Sequence, residues 1–206
     1  MKRFSLLTLL LSTAIAALLV SQFVMMRKLV EARNEIDVVR RKYGYIKVND
    51  PSLTYVNAIA ENEQGPAAMR LIVPAGSRYM LHLSDTKFDH ETKIDTLPAA
   101  TTISLNSWRN GADVTLSYAI HMENGNPVVH VHTETETLLT YKVPNWTKSG
   151  QPNEGTGSPL DGQREFSTDE TIPIMTWRDT GTGRGIALWL EPHARYAARR
   201  NKQSDE

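Results

Sequence analysis

The chain has 206 residues, enough for one domain with an attachment, and its 23 basic side chains balance 23 acidic ones. This balance argues against a nucleic-acid-binding protein, because such proteins carry a strong basic excess. The absence of cysteine excludes disulfides, Cys-ligated zinc, iron–sulfur clusters and thiol nucleophiles. An apolar fraction of 40% with 22% charged residues is typical of a folded protein.

The N-terminal segment is apolar, and residues 4–26 contain no charge. A helix of this length spans about 34 Å, more than the roughly 30 Å of a bilayer's hydrocarbon core. We therefore predict a single-pass transmembrane anchor over residues 1–26, with residues 4–26 in the lipid bilayer. A cleaved signal peptide is the alternative, because two basic residues precede the apolar run. Cleavage after the one Ala-x-Ala site, residues 14–16, would leave an apolar N-terminus, so we favour an uncleaved signal-anchor.

The flanking charges and the length of the C-terminal domain give opposite predictions for the orientation of this anchor. Two basic residues precede the apolar run and six follow it within residues 27–42, a count that places the large domain in the cytoplasm. Long domains, however, are translocated largely regardless of flanking charge. We therefore expect the C-terminal domain to be extracytoplasmic.

A juxtamembrane amphipathic helix is predicted over residues 27–48. Its apolar positions follow a 3-4 spacing, which is the pattern of a coiled-coil seam. The seam consists of Leu29, Ala32, Ile36, Val39 and Tyr43. It either packs on the chain's own globular domain or pairs with a second copy in a parallel homodimer. Gly44 and then residues 49–51 (Asn-Asp-Pro) are expected to end the helix.

The remainder of the chain, residues 49–193, has the period-two pattern of β-strands. Nine short segments with little helical pattern between them predict a mainly β domain with a β-sandwich-like fold. The predicted strands are Leu53–Ala60, Met69–Val73, Arg78–Leu83, Thr101–Leu105, Val114–Met122, Pro127–Thr133, Leu138–Val143, Thr171–Trp177 and Gly185–Leu190. Residues 194–206 are expected to form a polar, frayed tail.

Two turns and two long connections organise these strands. Residues 74–77 (Pro-Ala-Gly-Ser) predict a tight hairpin between the second and third strands. Asn124-Gly125 is the stronger hairpin signal, and a two-residue loop there would place Ile120 opposite Val129 and Tyr118 opposite Val131. The connections over residues 84–100 and 144–170 are long, so they are either the working surface or, in the second case, disordered.

Three histidines are the strongest candidates for a metal site. His130 and His132 alternate on one strand, and the predicted hairpin places His121 diagonal to His130. Converging imidazoles, with Glu136 nearby, suit zinc, copper, iron or nickel. The run from Gly125 to Glu136 resembles the first metal motif of cupins, although its glycine spacing differs and no second motif follows. The competing interpretation is a solvated outer face of the sheet, because Val129 and Val131, which alternate with these histidines, are expected to face the core.

Two tryptophans and one sequence triplet are further candidates for ligand binding or catalysis. Trp108 and Trp146 lie beside turn-forming residues, where they would either stack on carbohydrate or plug the end of the sandwich. The triplet at residues 179–181 (Asp-Thr-Gly) matches that of aspartic proteases, but a plain glycine turn explains it better, because Arg178 would depress the carboxyl pKa. No nucleophile elbow or phosphate-binding loop is present, so the sequence gives no reason to expect an enzyme or a cofactor.

Two resemblances concern the N-terminal part of the chain. Arg3-Phe4-Ser5-Leu6-Leu7-Thr8-Leu9-Leu10 resembles the start of a group of bacterial single-pass membrane proteins, and residues 40–45 and 69–79 are similar to that group too. This resemblance implies a membrane anchor with an extracytoplasmic domain, without a known activity. The same segment is similar to the leader of pseudopilins, but Arg3 and Thr8 stand where that family has Gly and Glu.

These observations predict a membrane-anchored extracytoplasmic β-sandwich module with a binding or structural role. Its ligand, a carbohydrate or a protein, cannot be read from the sequence. The two alternatives are a pseudopilin-like assembly subunit and a metal-dependent enzyme that uses His121, His130 and His132.

Overall fold

The computed structural model describes residues 6–59, 67–89, 91–146, 154–157, 162–179 and 181–204. The chain divides into two compact units, Met1–Arg40 and Arg41–Glu206. The first unit is helical and the second contains all the described strands.

The N-terminal unit is a long apolar helix, α1 (Leu6–Lys42). Within it, Leu9–Val39 is long and apolar enough to cross a membrane, and an 18-residue window of this segment has a mean hydropathy of 2.1. The described side chains along this segment are all exposed to the surroundings. The predicted juxtamembrane helix is confirmed over residues 27–42, whereas its predicted extension over residues 43–48 is wrong, because the chain leaves the helix at Gly44. Residues 1–5 lie outside the described part of the chain, and the partner of the predicted seam stays a prediction.

Gly44 ends the helix, as the sequence predicts. Its φ is +61°, in the left-handed region that side chains disfavour. A Cβ at this position would lie 2.8 Å from the Cγ1 atom of Ile59 and 3.3 Å from the Cβ atom of Arg70. The chain can therefore turn away from the helix and pass close to the sheet at this point because the residue has no side chain.

The second unit is a β-sandwich of two antiparallel sheets, which confirms the predicted fold class. Eleven strands are present among the described residues, two more than predicted. They are β1 (Thr54–Ile59), β2 (Ala67–Val73), β3 (Tyr79–Ser84), β4 (Thr101–Ser104), β5 (Ala112–Glu123), β6 (Asn126–His132), β7 (Thr137–Lys142), β8 (Glu154–Gly157), β9 (Gln163–Phe166), β10 (Ile172–Arg178) and β11 (Gly185–Pro192). The six-stranded sheet has the order β7-β6-β5-β2-β1-β9, and the five-stranded sheet has the order β4-β3-β11-β10-β8.

The core lies between the two sheets and is built from alternate residues of each strand. Leu71 and Leu116 contribute from the six-stranded sheet, and Leu81 and Leu188 contribute from the five-stranded sheet, all fully buried. Burying a leucine side chain stabilises a fold by about 1.5–3 kcal/mol. The alternation therefore fixes which face of each strand points inward.

The β5–β6 hairpin has the predicted turn and register. Asn124 and Gly125 both have positive φ, 51° and 82°, as a two-residue type I′ loop requires. Ile120 pairs with Val129 and Tyr118 with Val131. The local turn signal and the hydrophobic pattern agree here, and both are correct.

The predicted hairpin at residues 74–77 is wrong. A turn does form, with the amide of Ser77 donating to the carbonyl of Pro74 at 3.3 Å and Gly76 at a φ of 89°. However, β2 pairs with β1 and β5, whereas β3 pairs with β4 and β11. The turn therefore carries the chain from one sheet to the other. Turn residues set a local reversal of the chain, but they do not decide which strands pair.

The long connection over residues 144–170 contains two strands that the sequence pattern missed, β8 and β9. The strand β9 pairs with β1 at the edge of the six-stranded sheet, and three of its four side chains are exposed. An edge strand with exposed polar side chains shows no hydrophobic alternation, which explains the miss. Residues 147–153 and 158–161 of this connection lie outside the described residues.

The expected frayed tail is also wrong, because His193–Ser204 forms a helix, α2. Its first amide, that of His193, donates to the carbonyl of Arg78 at 2.8 Å. Six residues further along the helix, Arg199 donates to the buried carboxylate of Glu191 at 2.8 Å. Side chains on one face of this polar helix thus attach it to the five-stranded sheet, an interaction that composition alone does not reveal.

Candidate functional site

The three candidate histidines lie in a row on the outer face of the six-stranded sheet. His121 and His130 are stacked, with ring centres 4.6 Å apart and an interplanar angle of 6°. His130 and His132 are 5.8 Å apart at 11°. The Nδ1 atoms of His130 and His132 lie 3.2 Å and 3.0 Å from the hydroxyls of Thr140 and Thr137, respectively. The structure therefore brings the three rings together as the sequence predicts.

The orientation of these rings does not suit a shared metal ion. Imidazole lone pairs lie in the ring plane, so nearly parallel rings point their nitrogen atoms side by side rather than at one point. Among the residues that the structure describes, no group of three or more His, Asp or Glu side chains is arranged to hold a metal ion. Glu136 is exposed in the turn after β6.

The pKa of the central histidine is shifted by its surroundings. The pKa of His130 is lowered from its ordinary value, first by partial desolvation and then by electrostatic interaction with His121 and His132. The charged form of His130 is therefore disfavoured on this face of the sheet.

The two candidate tryptophans are buried, which favours the plug over the carbohydrate platform. Trp108 is 3% exposed and Trp146 is 8% exposed. Trp146 stacks on Trp177, with ring centres 5.0 Å apart. Sugar-binding platforms need an exposed aromatic face, and neither ring offers one. These side chains belong to the core between the sheets.

Arg184 closes this end of the sandwich over Trp146. Its guanidinium lies 5.3 Å from the centre of the Trp146 ring. It also donates to three backbone carbonyls, those of Asp85 at 3.1 Å, Asn145 at 2.7 Å and Pro144 at 3.0 Å. One side chain thus joins three segments of the chain that are distant in sequence, which makes Arg184 a structural residue.

The Asp-Thr-Gly triplet forms the predicted turn at its described residues. The Oδ1 atom of Asp179 accepts hydrogen bonds from the amides of Gly181 at 2.9 Å and Thr182 at 3.3 Å. The carboxylate is buried and is used by the backbone of the β10–β11 loop. Thr180 lies outside the described residues.

A set of buried polar residues on the five-stranded sheet was missed by the sequence analysis. His82 on β3 and Glu191 on β11 are both 0% exposed, although they lie on the outer face of the sheet. This face is covered, because the side chains of Leu97, Trp189 and Phe88 form a second, smaller apolar cluster there. Two ionisable groups are thus enclosed together without contact with solvent.

These residues form a chain of close contacts that runs across the sheet. The Nδ1 atom of His82 lies 2.9 Å from the hydroxyl of Thr102, which is the partner of His82 on β4. The Nε2 atom of His82 lies 3.0 Å from Oε2 of Glu191, although without the angle of a hydrogen bond. The ring of His82 is stacked on Trp189 at 5.2 Å. The line Thr102–His82–Glu191 is called the polar line below.

The ring of His82 lies between a hydroxyl and a carboxylate. Its Nδ1 atom shares a hydrogen bond with the hydroxyl of Thr102, and the tautomer of the ring decides which of the two groups donates. Burial, and after it the charge of Arg199, lowers the pKa of His82 to about 4. The imidazole is therefore neutral at neutral pH.

Burial also shifts the pKa of Glu191, in the opposite direction to that of His82. Burial raises the pKa of its carboxyl, while the charges of Arg199 and Arg195 lower it. Arg199 from α2 donates to Oε2 at 2.8 Å, and within the described residues Oε1 has no hydrogen-bond partner. Arg199 thus supplies the counter-charge that a buried carboxylate needs.

An open cleft of about 630 Å³ lies beside the polar line. Thr102 and Arg199 both line it, together with the ring of Tyr196. Its other wall comes from Asp95, Leu97 and Pro98 in the connection before β4. That wall is attached to α2, because Arg195 contacts the Asp95 carboxylate at 2.5 Å and Arg199 donates to the Asp95 carbonyl at 2.9 Å. The polar line therefore reaches the surface at Thr102.

Sequence signals for this site exist but are weak. His82 interrupts the apolar strand Tyr-Met-Leu-His-Leu, and Glu191 follows the apolar run Leu-Trp-Leu. A polar residue within an otherwise apolar strand indicates a buried group that needs a partner. The sequence does not say which partner, since residues 82, 102 and 191 meet only through long-range strand pairing.

Comparison of the sequence with protein-family models found no match, and searches of curated proteins and of solved structures found no similar protein. The candidate sites therefore rest on the geometry of this chain alone.

Proposed function

We propose that the protein is a membrane-anchored module that holds its β-sandwich domain outside the cytoplasm and acts there in a binding or structural role. The observation that carries this proposal is the apolar helix Leu9–Val39, with no described side chain buried. An apolar surface of this size is unfavourable in water and favourable in a bilayer. The helix therefore attaches the protein to the membrane, and the sandwich carries the binding or structural role.

The uncleaved state of the helix is part of this proposal. Removal of residues 1–16 would leave an exposed apolar helix from Ala17 onward, which would still favour the membrane. Six basic residues follow the uncharged run, between positions 27 and 42, and their charge favours the opposite orientation, so the labelling experiment below compares both.

A binding or structural role fits the surfaces of the domain. The outer faces carry two distinct features, the histidine row on the six-stranded sheet and the cleft beside α2 on the five-stranded sheet. Both lie away from the core between the sheets; the histidine row is carried by β5 and β6, and the cleft is formed by the connection before β4, by Thr102 and by α2.

Cysteine labelling tests the orientation directly, because the natural chain contains no cysteine. Thr135 is exposed in the turn between β6 and β7, so Thr135→Cys offers a single thiol on the domain. Lys2→Cys is the matched variant on the other side of the helix. In intact bacterial cells that express the full chain, we expect a membrane-impermeant maleimide to label Thr135→Cys only. Lys2→Cys should be labelled only after permeabilisation.

The reverse labelling pattern would show that the domain is cytoplasmic and would contradict the proposed location. Mass spectrometry of the same membrane preparation tests the uncleaved helix. An N-terminus at Met1 or Lys2 supports the anchor, an N-terminus after Ala16 indicates a signal peptide, and an N-terminus at Phe4 indicates processing of the pseudopilin kind.

A further inference from the structure

Beside the cleft on the five-stranded sheet, a hydroxyl group, a neutral imidazole and a carboxylate follow one another in space along one line. Thr102 lines the cleft, His82 lies behind it and Glu191 lies behind His82. Enzymes that act through a hydroxyl nucleophile need this order, in which a base contacts the hydroxyl and a third group orients the base. The order comes from three different strands, β4, β3 and β11.

We propose that Thr102, His82 and Glu191 form a catalytic triad that hydrolyses small carboxylic esters bound in the cleft. This activity goes beyond the proposed anchoring function and does not depend on the orientation of the helix. Thr102 is the nucleophile, His82 with its proton on Nε2 is the general base, and Glu191 is the carboxylate beside Nε2. Arg199, which also lines the cleft, supplies positive charge for the oxyanion.

The first half of the reaction transfers the acyl group to Thr102. The hydroxyl oxygen of Thr102 attacks the ester carbonyl carbon while its proton passes to Nδ1 of His82. The tetrahedral intermediate then collapses, the bond to the alcohol oxygen breaks, and that oxygen takes the proton from Nδ1. An alcohol leaves, and the acyl group remains on Thr102 as an ester.

The second half uses water as the co-reactant. A water molecule in the open cleft attacks the acyl-Thr102 carbonyl and gives one proton to Nδ1 of His82. The bond between the acyl carbon and Oγ of Thr102 breaks, and Oγ takes that proton back. A carboxylic acid is released, and the triad returns to its starting state with no oxidant, reductant or metal.

Two features of the site suit these steps. The imidazole of His82 is buried, and its Nδ1 atom lies 2.9 Å from the hydroxyl of Thr102. Glu191 lies 3.0 Å from the opposite nitrogen, so its carboxylate faces the ring on the side away from Thr102. The ring is held in place by Trp189 on one side and by Tyr196, whose ring centre is 5.4 Å away.

The chain contains a matched control for this arrangement. Thr140 contacts Nδ1 of His130 at 3.2 Å, so it has the same hydroxyl–imidazole contact on the outer face of the other sheet. The neighbours of His130 there are two more histidines, without a buried carboxylate behind the ring. Exposed imidazoles also hydrolyse activated esters weakly without a nucleophile beside them, so this pair measures the background.

The experiment uses the purified full-length protein in detergent micelles with p-nitrophenyl acetate and p-nitrophenyl butyrate as probes. We expect saturable hydrolysis in the natural chain and a loss of at least 100-fold in kcat/KM in Thr102→Val, which has the same shape without the hydroxyl. Thr102→Ser should retain activity within tenfold, because it keeps the nucleophile. His82→Gln should lose activity as Thr102→Val does, and Thr140→Val should match the natural chain.

Acyl-enzyme trapping gives a readout that a structural role would not produce. After rapid acid quenching, mass spectrometry should find one acetyl group on the peptide that contains Thr102. Thermal unfolding of Thr102→Val and Thr102→Ser checks that both variants fold. Unchanged hydrolysis in a folded Thr102→Val variant would overturn the proposal, and so would the absence of saturable hydrolysis in the natural chain.

Discussion

The guanidinium of Arg184 lies over the ring of Trp146 and at the same time binds the carbonyls of Pro144 and Asn145, the two residues that precede that ring. Asn145 has a φ of 50°, which is uncommon for a residue other than glycine. The contacts of Arg184 on both sides of this residue hold the strained backbone in place. This end of the sandwich is therefore closed by one side chain.

The first prediction concerns this closure. Arg184→Lys keeps the charge but loses the planar fork that reaches several carbonyls at once. We expect a loss of about 1–3 kcal/mol in the free energy of unfolding, because backbone carbonyls in two distant segments lose a charged donor. Urea unfolding of the full-length protein in micelles, monitored by tryptophan fluorescence, measures it. Arg164→Lys, at an exposed position on β9, is the control and should change stability by less than about 0.5 kcal/mol.

The second prediction separates backbone strain from steric overlap at the end of α1. Gly44 and Gly76 both have positive φ, but a Cβ at Gly44 would touch Ile59, whereas a Cβ at Gly76 would meet no atom within 4 Å. Gly76→Ala should therefore cost only the conformational penalty of about 1–2 kcal/mol. Gly44→Ala should cost more, and equal losses in the same unfolding assay would show that the contact with Ile59 is unimportant.

The third prediction concerns the histidine row. In an NMR titration with labelled histidine, His130 should titrate below its ordinary pKa, because partial desolvation and the neighbouring histidines disfavour its charged form. His121→Ala removes one neighbouring charge and should raise the pKa of His130. His193→Ala, at the start of α2, should leave the pKa of His130 unchanged. A fall in the pKa of His130 in His121→Ala would contradict the proposed repulsion.

The fourth prediction is a pH dependence of stability that comes from His82. Its folded-state pKa is about 4, below the ordinary value of 6.5, so only the unfolded chain binds its proton between these values. The stabilisation is complete above about pH 6.5 and is lost as the pH falls toward 4, by about 2–3 kcal/mol.

Subtraction of a second titration isolates this contribution. Glu191 has a raised pKa, and its effect on stability has the opposite sign, but it is present in both the natural chain and His82→Gln. The difference in unfolding free energy between the two proteins should therefore shrink as the pH falls from 6.5 to 4. A difference that stays constant over this range would mean that His82 keeps an ordinary pKa in the folded protein.

The parts of the fold that the sequence predicts correctly are those set by local patterns. The β5–β6 hairpin follows from Asn124-Gly125 and from alternating apolar residues on both strands. The helix end follows from Gly44. In contrast, the turn at residues 74–77 was assigned to a hairpin because a turn signal does not tell whether the next strand joins the same sheet.

The polar line shows why a site of this kind escapes sequence reasoning. Thr102, His82 and Glu191 come together because β3 pairs with both β4 and β11, and no spacing in the sequence encodes that pairing. The histidine row was found because His130 and His132 alternate on one strand and a single hairpin adds His121. The orientation of its rings depends on side-chain torsions that no pattern predicts.

The central claim is that the N-terminal helix holds the folded sandwich at a membrane. Alkaline carbonate extraction of membranes that contain the full-length protein tests it most directly. We expect the protein to stay in the membrane pellet with an intact N-terminus. Leu11→Lys combined with Leu18→Lys should move it to the supernatant, because each lysine costs about 2.5–3.5 kcal/mol in the middle of a membrane helix. Release of the natural full-length chain into the supernatant would contradict the account.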